Sequence, residues 1–144
     1  MNKWLRAVCV GAAAAAMLTA SAFAANYTNC ADSLHEMGLF QGTQNGYDLD
    51  RTPTRAEASV MLVRLLGKEA DAKALTYTAP FTDLEGWEAP YVQYLYDNKL
   101  TTGATATTFE PKAQCSAQMY TTFLLRSLGY SDAQNGDFAY TGAL

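Results

Sequence analysis

One arginine stands in a frame that could do chemistry. Thr54, Arg55, Ala56 and Glu57 lead directly into the apolar run "ASVMLVRLLG". A threonine followed three residues later by a glutamate is a capping box, in which each side chain meets the other's backbone N–H at a helix start. Arg55 then falls in the first helical turn, where N–H groups and the helix dipole already favour anions. A guanidinium can fork onto a carboxylate through two parallel N–H bonds. The frame therefore suits recognition of an acidic group. An exposed Arg55 paired with Asp48, Asp50 or Glu57 would use the same residues without any ligand, so the motif alone leaves both readings open.

Other chemistries have less to work with. His35 is the only histidine, too few for a histidine metal cluster, and no Ser-His-Asp set can be argued around it. Carboxylates are plentiful, but nothing places two of them across a cleft as a glycosidase requires. The expectation is a protein that is not an enzyme and needs no cofactor or metal.

The elements that position Arg55 occur twice. "TRAEASVMLVRLLG" (Thr54 to Gly67) aligns with "SAQMYTTFLLRSLG" (Ser116 to Gly129). Met61 meets Phe123, Leu62 meets Leu124, Arg64 meets Arg126 and Gly67 meets Gly129. Upstream, Leu34 pairs with Leu95, Leu39 with Leu100, Gly42 with Gly103 and Tyr47 with Phe109. Each unit reads as helix, glycine loop, aromatic, short link and capped helix.

Helical spacing supports this. Ala58, Met61, Leu62 and Leu65 make one stripe; Tyr120, Phe123, Leu124 and Ser127 make its counterpart. Ser116 can cap the second copy, and Gly67 and Gly129 suit the C-terminal stops. In the leading helices, Cys30, Ala31, Leu34 and Met37 form a stripe, and Pro90 sits where a first helical turn tolerates proline. Val92, Leu95 and Tyr96 should face inward, with Trp87 as a staple or core plug ahead of that helix. Asn45-Gly46 marks a turn. Residues 68–78 form a linker with room for a short helix. The recurring Arg64 and Arg126 suggest structural pairing with a neighbouring acid. The second copy keeps its cap but carries Ala117 and Met119 where Arg55 and Glu57 stood, so the arginine is not needed to start the helix.

Composition bounds the partners. The first 24 residues read as a secretory signal: Lys3 and Arg6, an apolar run from Ala7 to Ala20, then Ala22 and Ala24 in the A-x-A pattern of a cleavage site. The run is short and alanine-rich for a membrane span. Removing two bases and no acid from a chain with 10 bases and 14 acids leaves a net charge of −6. Such a chain is a poor partner for nucleic acid and for anionic lipid, so no membrane role is expected after cleavage. An anionic ligand would have to be held locally. Cys30 and Cys115 could pair in an oxidising compartment or remain as two small apolar residues; both readings stay open.

From Ala31 to Gly129 the chain resembles the S-layer homology (SLH) repeat family. "FTDLEGWEAPYVQYLYDNKLTTG" carries the family's opening, with Phe81, Asp83 and Trp87, and "YDLDRTPTRAEASVMLVRLLG" carries its closing half. The resemblance implies a mostly α fold of tandem helix-loop-helix repeats, few or no strands, packed as part of a pseudo-threefold assembly. It implies a signal over 1–24, a first repeat over 25–76 without the opening motif, and a second over 77–130 with a degenerate Thr-Arg-Ala-Glu. Residues 131–144 would begin an incomplete third repeat, as in a fragment of a longer protein or a chain that completes its trio by self-association.

The function that the resemblance implies is noncovalent attachment to the bacterial cell wall. Grooves between repeats would hold secondary cell-wall polysaccharide, often pyruvylated. Arg55 would meet the acidic group, Thr54 and Glu57 would frame it, and Gly42 would let backbone approach the sugar. Phe81, Asp83, Trp87, Gly103 and Ser116 would be structural, with Asp83 capping the turn into the next helix. The protein would be secreted and held at the cell wall or S-layer. Two alternatives are an envelope assembly module that binds no glycan and the N-terminal anchor of a longer wall-active enzyme.

Overall fold

A computed structural model describes residues 27–140. The expected signal segment lies outside them, as do the last residues of the third-unit fragment. The chain divides into two compact units, one ending at Asp50 and one starting at Arg51. Among the described residues the fold is helical with no sheet, and β pairing is limited to isolated bridges at Thr43–Gly46 and Thr54–Gln114.

The first unit holds helix α1 (residues 27–36) and a turn. Gly38 takes a positive φ, and the N–H groups of Leu39 and Phe40 both return to the Leu34 carbonyl, closing the helix. The chain then doubles back at Thr43 and Gly46, which exchange backbone hydrogen bonds of 2.7 and 3.2 Å. Tyr47 fastens this turn to α1. Its hydroxyl donates to Asp32 at 2.8 Å, and its ring packs near those of His35 and Phe40.

The second unit holds α2 (Arg55–Leu65), α3 (Glu69–Lys73), α4 (Ala89–Asp97) and α5 (Ala117–Ser127). Both halves of the capping box start α2: Glu57 N donates to Thr54 Oγ1 at 3.2 Å and Thr54 N to Glu57 Oε2 at 2.7 Å. Arg51 adds a two-bond fork onto Glu57, at 2.8 and 2.6 Å. Ser116 caps α5 through Met119 N alone, because Met119 lacks the side-chain oxygen with which a glutamate at that position returns the bond.

The main core gathers Val60, Leu62 and Val63 from α2, Ala72 from α3, Tyr91 and Leu95 from α4, and Phe123 from α5. Burial on α2 is wider than the expected stripe. Ala56, Ala58, Ser59, Val60, Leu62 and Val63 are buried while Leu65 is exposed. The reason is that α2 packs against α3, α4 and α5, and its first turn is covered by a loop. On α4, Tyr91 turns inward and donates to Glu69 at 2.7 Å, whereas Tyr96 is partly exposed with its edge against Phe81.

Trp87 corrects an expectation: it is 55% exposed and plugs no core. The turn before α4 buries Glu88 instead, whose Oε1 accepts from Glu85 N at 2.7 Å. The apolar space ahead of α4 is filled by a second cluster of Ala79, Phe81, Val92 and Phe109 with Leu84. Arg64 and Arg126 each pair with a nearby acid, Glu69 and Asp132.

Two outcomes follow from this packing. Gly103 has φ +84, and a Cβ there would meet the Phe81 ring and lie 2.6 and 2.8 Å from the Thr105 and Thr108 carbonyls. Gly129 has φ +92 but open space around it. Gly103→Ala should cost about 2–4 kcal/mol in denaturant unfolding, from backbone strain plus overpacking, and Gly129→Ala only ~1. Equal losses would contradict the close approach at Gly103.

The second concerns acid. The Arg51 fork holds the Glu57 carboxyl down at about 2, against an ordinary 4.5; burial opposes this and the Thr54 donors assist. A depressed carboxylate contributes stability that is complete above its unfolded value and lost as pH falls toward the folded one. Glu57 is partly exposed, so the contribution is on the order of 1 kcal/mol after screening. The stability gap between the parent and Glu57→Gln should close between pH 5 and pH 2. A gap that stays constant would contradict the fork.

Candidate functional site

Arg55 leaves the first turn of α2 and turns inward, to 6% exposure. Its Nε donates to the Phe109 carbonyl at 2.8 Å, and its Cζ lies 4.6 Å from the centre of the Phe109 ring. That is cation–π distance. Its Nη1 lies 4.0 Å from Met119 Sδ, a weak acceptor. Among the described residues no carboxylate lies within ion-pair distance of this guanidinium. Burial pushes its pKa below the ordinary value, and the more distant Cys115, Glu110, Tyr140 and Asp83 oppose that only in part. An arginine stays protonated under such a shift. The direction is that of a positive charge taken out of water without an ion-pair partner among the described residues.

A chain of local interactions fixes the seat beneath it. Asp83 accepts from Phe109 N at 2.9 Å and Glu110 N at 2.8 Å. It thus pins a distant loop rather than capping the turn ahead of it, as the sequence had suggested. Glu110 is held at φ +59, and its carbonyl accepts from Ala113 N in a turn carrying Pro111. The loop then reaches α2: Pro111 O accepts from Ala56 N at 3.0 Å, Ala113 O from Arg55 N at 2.9 Å, and Cys115 N donates to Pro53 O at 2.8 Å. The N–H groups at the start of α2 are consequently used inside the protein. The expected help of helix N-terminal donors in holding an anion therefore does not apply at this helix.

Arg55 lines a groove of about 420 Å³, within the size range of small-ligand sites. Thr101, Thr102, Gly103, Glu110, Arg126 and Tyr140 also border it. Arg126 is already satisfied: its Nε and Nη2 reach the two Asp132 oxygens at 2.9 and 2.6 Å, and its Nη1 reaches Leu100 O at 3.0 Å. One groove arginine is neutralised from within and the other is not.

The sequence candidates are distributed unevenly. Arg55 and Gly103 meet at the groove. Thr54 and Glu57 do not border it; they hold each other and Arg51. Gly42 lies in the first compact unit, with φ +71 and its Cβ direction closed by Gly46 O. Phe81 packs beside Phe109, and Ser116 caps α5. Cys30 and Cys115 are both free thiols. Sequence reasoning missed Thr101, Thr102, Glu110, Asp132 and Tyr140. The signal for the first two was present in the alignment of "LFQG" with "LTTG", since Gly103 was already matched to the glycine expected beside a sugar.

Comparison with known proteins agrees with this architecture. Residues 80–116 match the S-layer homology domain. The chain is 31% identical over 125 residues to the middle cell wall protein of Brevibacillus brevis (strain 47), covering 85% of the chain and 12% of that protein. It is 31% identical over 106 residues to the surface layer protein of Brevibacillus choshinensis, covering 72% of the chain and 10% of that protein. An endoglucanase of Bacillus sp. (strain KSM-635) is 35% identical over 63 residues, 42% of the chain and 7% of that enzyme. The chain thus spans about a tenth of the length of the relatives it matches. Through residues 80–116, which contain the Asp83–Phe109 seat, the chain belongs to the S-layer homology domain family.

Proposed function

We propose that this protein attaches noncovalently to the bacterial cell wall, and that it does so by seating an acidic residue of a wall polysaccharide in the groove beside Arg55. The observation that carries the reading is the buried Arg55 guanidinium, bordering an open groove with no carboxylate partner among the described residues. A carboxylate such as a pyruvate ketal on the glycan would supply the missing charge through a two-bond fork. The names of the Brevibacillus relatives support a location at the cell wall or surface, reached by secretion, and the family match supports an anchoring role. The endoglucanase relative fits the same module serving as the anchor of a longer enzyme. In this reading the two repeats are part of a pseudo-threefold set, completed by further repeats or by a second copy of the chain.

Co-sedimentation with purified wall sacculi, before and after the polysaccharide is stripped, tests the proposal. The parent should sediment with intact walls and stay in solution with stripped ones. Arg55→Lys keeps the charge but loses the fork, and should weaken binding about 10-fold. The binding should also fall with added salt. Arg55→Lys sedimenting like the parent would overturn the groove mechanism.

A further inference from the structure

Past α5 the chain comes back to the groove, and it does two things there. Asp132 neutralises Arg126, and Tyr140 borders the groove near Arg55. The Tyr140 carbonyl is gripped by Gln118 Nε2 from the first turn of α5, so the residue has a fixed anchor on the capped helix. The residue is 43% exposed. Tyr140 is among the residues that line this groove of about 420 Å³, and the space remains open with it in place.

We infer that Tyr140 is the sugar platform of this site: its ring face stacks on the apolar face of the same glycosyl residue whose carboxylate is held by Arg55. This rests on the groove reading proposed above and adds a second determinant to it. The chemistry is complementary. A sugar bearing one acidic substituent has a charged edge and a C–H face, and the groove offers one uncompensated cation and one half-exposed aromatic. An aromatic ring supplies large, rigid contact area with a polar tip that can remain in water. Asp132 strengthens the selectivity, because it removes Arg126 as a second cation and leaves the groove matched to a single acidic group. Arg55 alone would accept any carboxylate of suitable size. Arg55 with Tyr140 selects a carboxylate carried on a ring.

The test is equilibrium binding of the full chain to soluble polysaccharide released from purified walls. Tyr140→Ala should bind about 10-fold more weakly, as expected for the loss of one aromatic contact. Tyr140→Phe should stay within about 2-fold of the parent, because the ring face and not the hydroxyl makes the contact. Tyr140→Leu keeps the bulk but not the flat ring and should resemble Tyr140→Ala. Circular dichroism melting confirms that each variant is folded, and the Leu variant carries the comparison if the Ala variant is not. Tyr140→Ala binding as well as the parent, or more tightly, overturns the platform, as does a Tyr140→Phe as weak as Tyr140→Ala. Arg55→Lys is measured alongside. If it is impaired while Tyr140→Ala is not, only the platform fails. If it binds like the parent, the groove reading fails and the platform with it.

Discussion

The seating of Arg55 on Phe109 is the contact on which the rest of this structure depends. A buried cation is normally expensive unless an acid pairs with it. Here the cost is offset by a carbonyl at 2.8 Å and a ring face at 4.6 Å, neither of which carries a formal charge. Both belong to Phe109, so one residue sets the position of the guanidinium. Phe109 is itself fully buried, and Asp83 holds its N–H from across the fold. Two motifs far apart in sequence, Phe-x-Asp at 81–83 and Thr-Arg-Ala-Glu at 54–57, therefore act on one object.

That arrangement separates the residues that start the helix from the side chain that borders the groove. Thr54, Glu57 and Arg51 form a closed set that starts α2. Pro111 and Ala113 consume the next two N–H groups. With the backbone donors satisfied, the side chain of Arg55 is the part of the motif left with unmet demand. Arg126 shows the opposite solution in the same groove, with every branch of its guanidinium engaged by Asp132 and Leu100. The contrast between the two arginines, more than burial alone, singles out the first.

Local rules made much of the fold legible. The capping box, the serine cap at 116, the short helix in the linker and the proline at the start of α4 are all set within a few residues, and the structure has each of them. The misreadings lie where distant segments meet. A periodic stripe could not show that α2 is covered by three helices and a loop, so Leu65 was placed too deep. Trp87 was expected as a staple or core plug ahead of α4, yet the turn leaves it exposed and buries Glu88 instead. Gly103 borders the Arg55 groove because the glycine loop of the second repeat lines it together with the first turn of α2. Tyr140 had no repeat partner to flag it.

The most direct measurement is a crystal structure of the chain with a carboxylate-bearing oligosaccharide cut from the wall polymer. A ligand carboxylate oxygen should lie about 3 Å from the Nη atoms of Arg55, with Nε still on the Phe109 carbonyl. A glycan bound with its acidic group elsewhere, or an Arg55 that has left Phe109 to pair with Asp83 or Glu110, would contradict it.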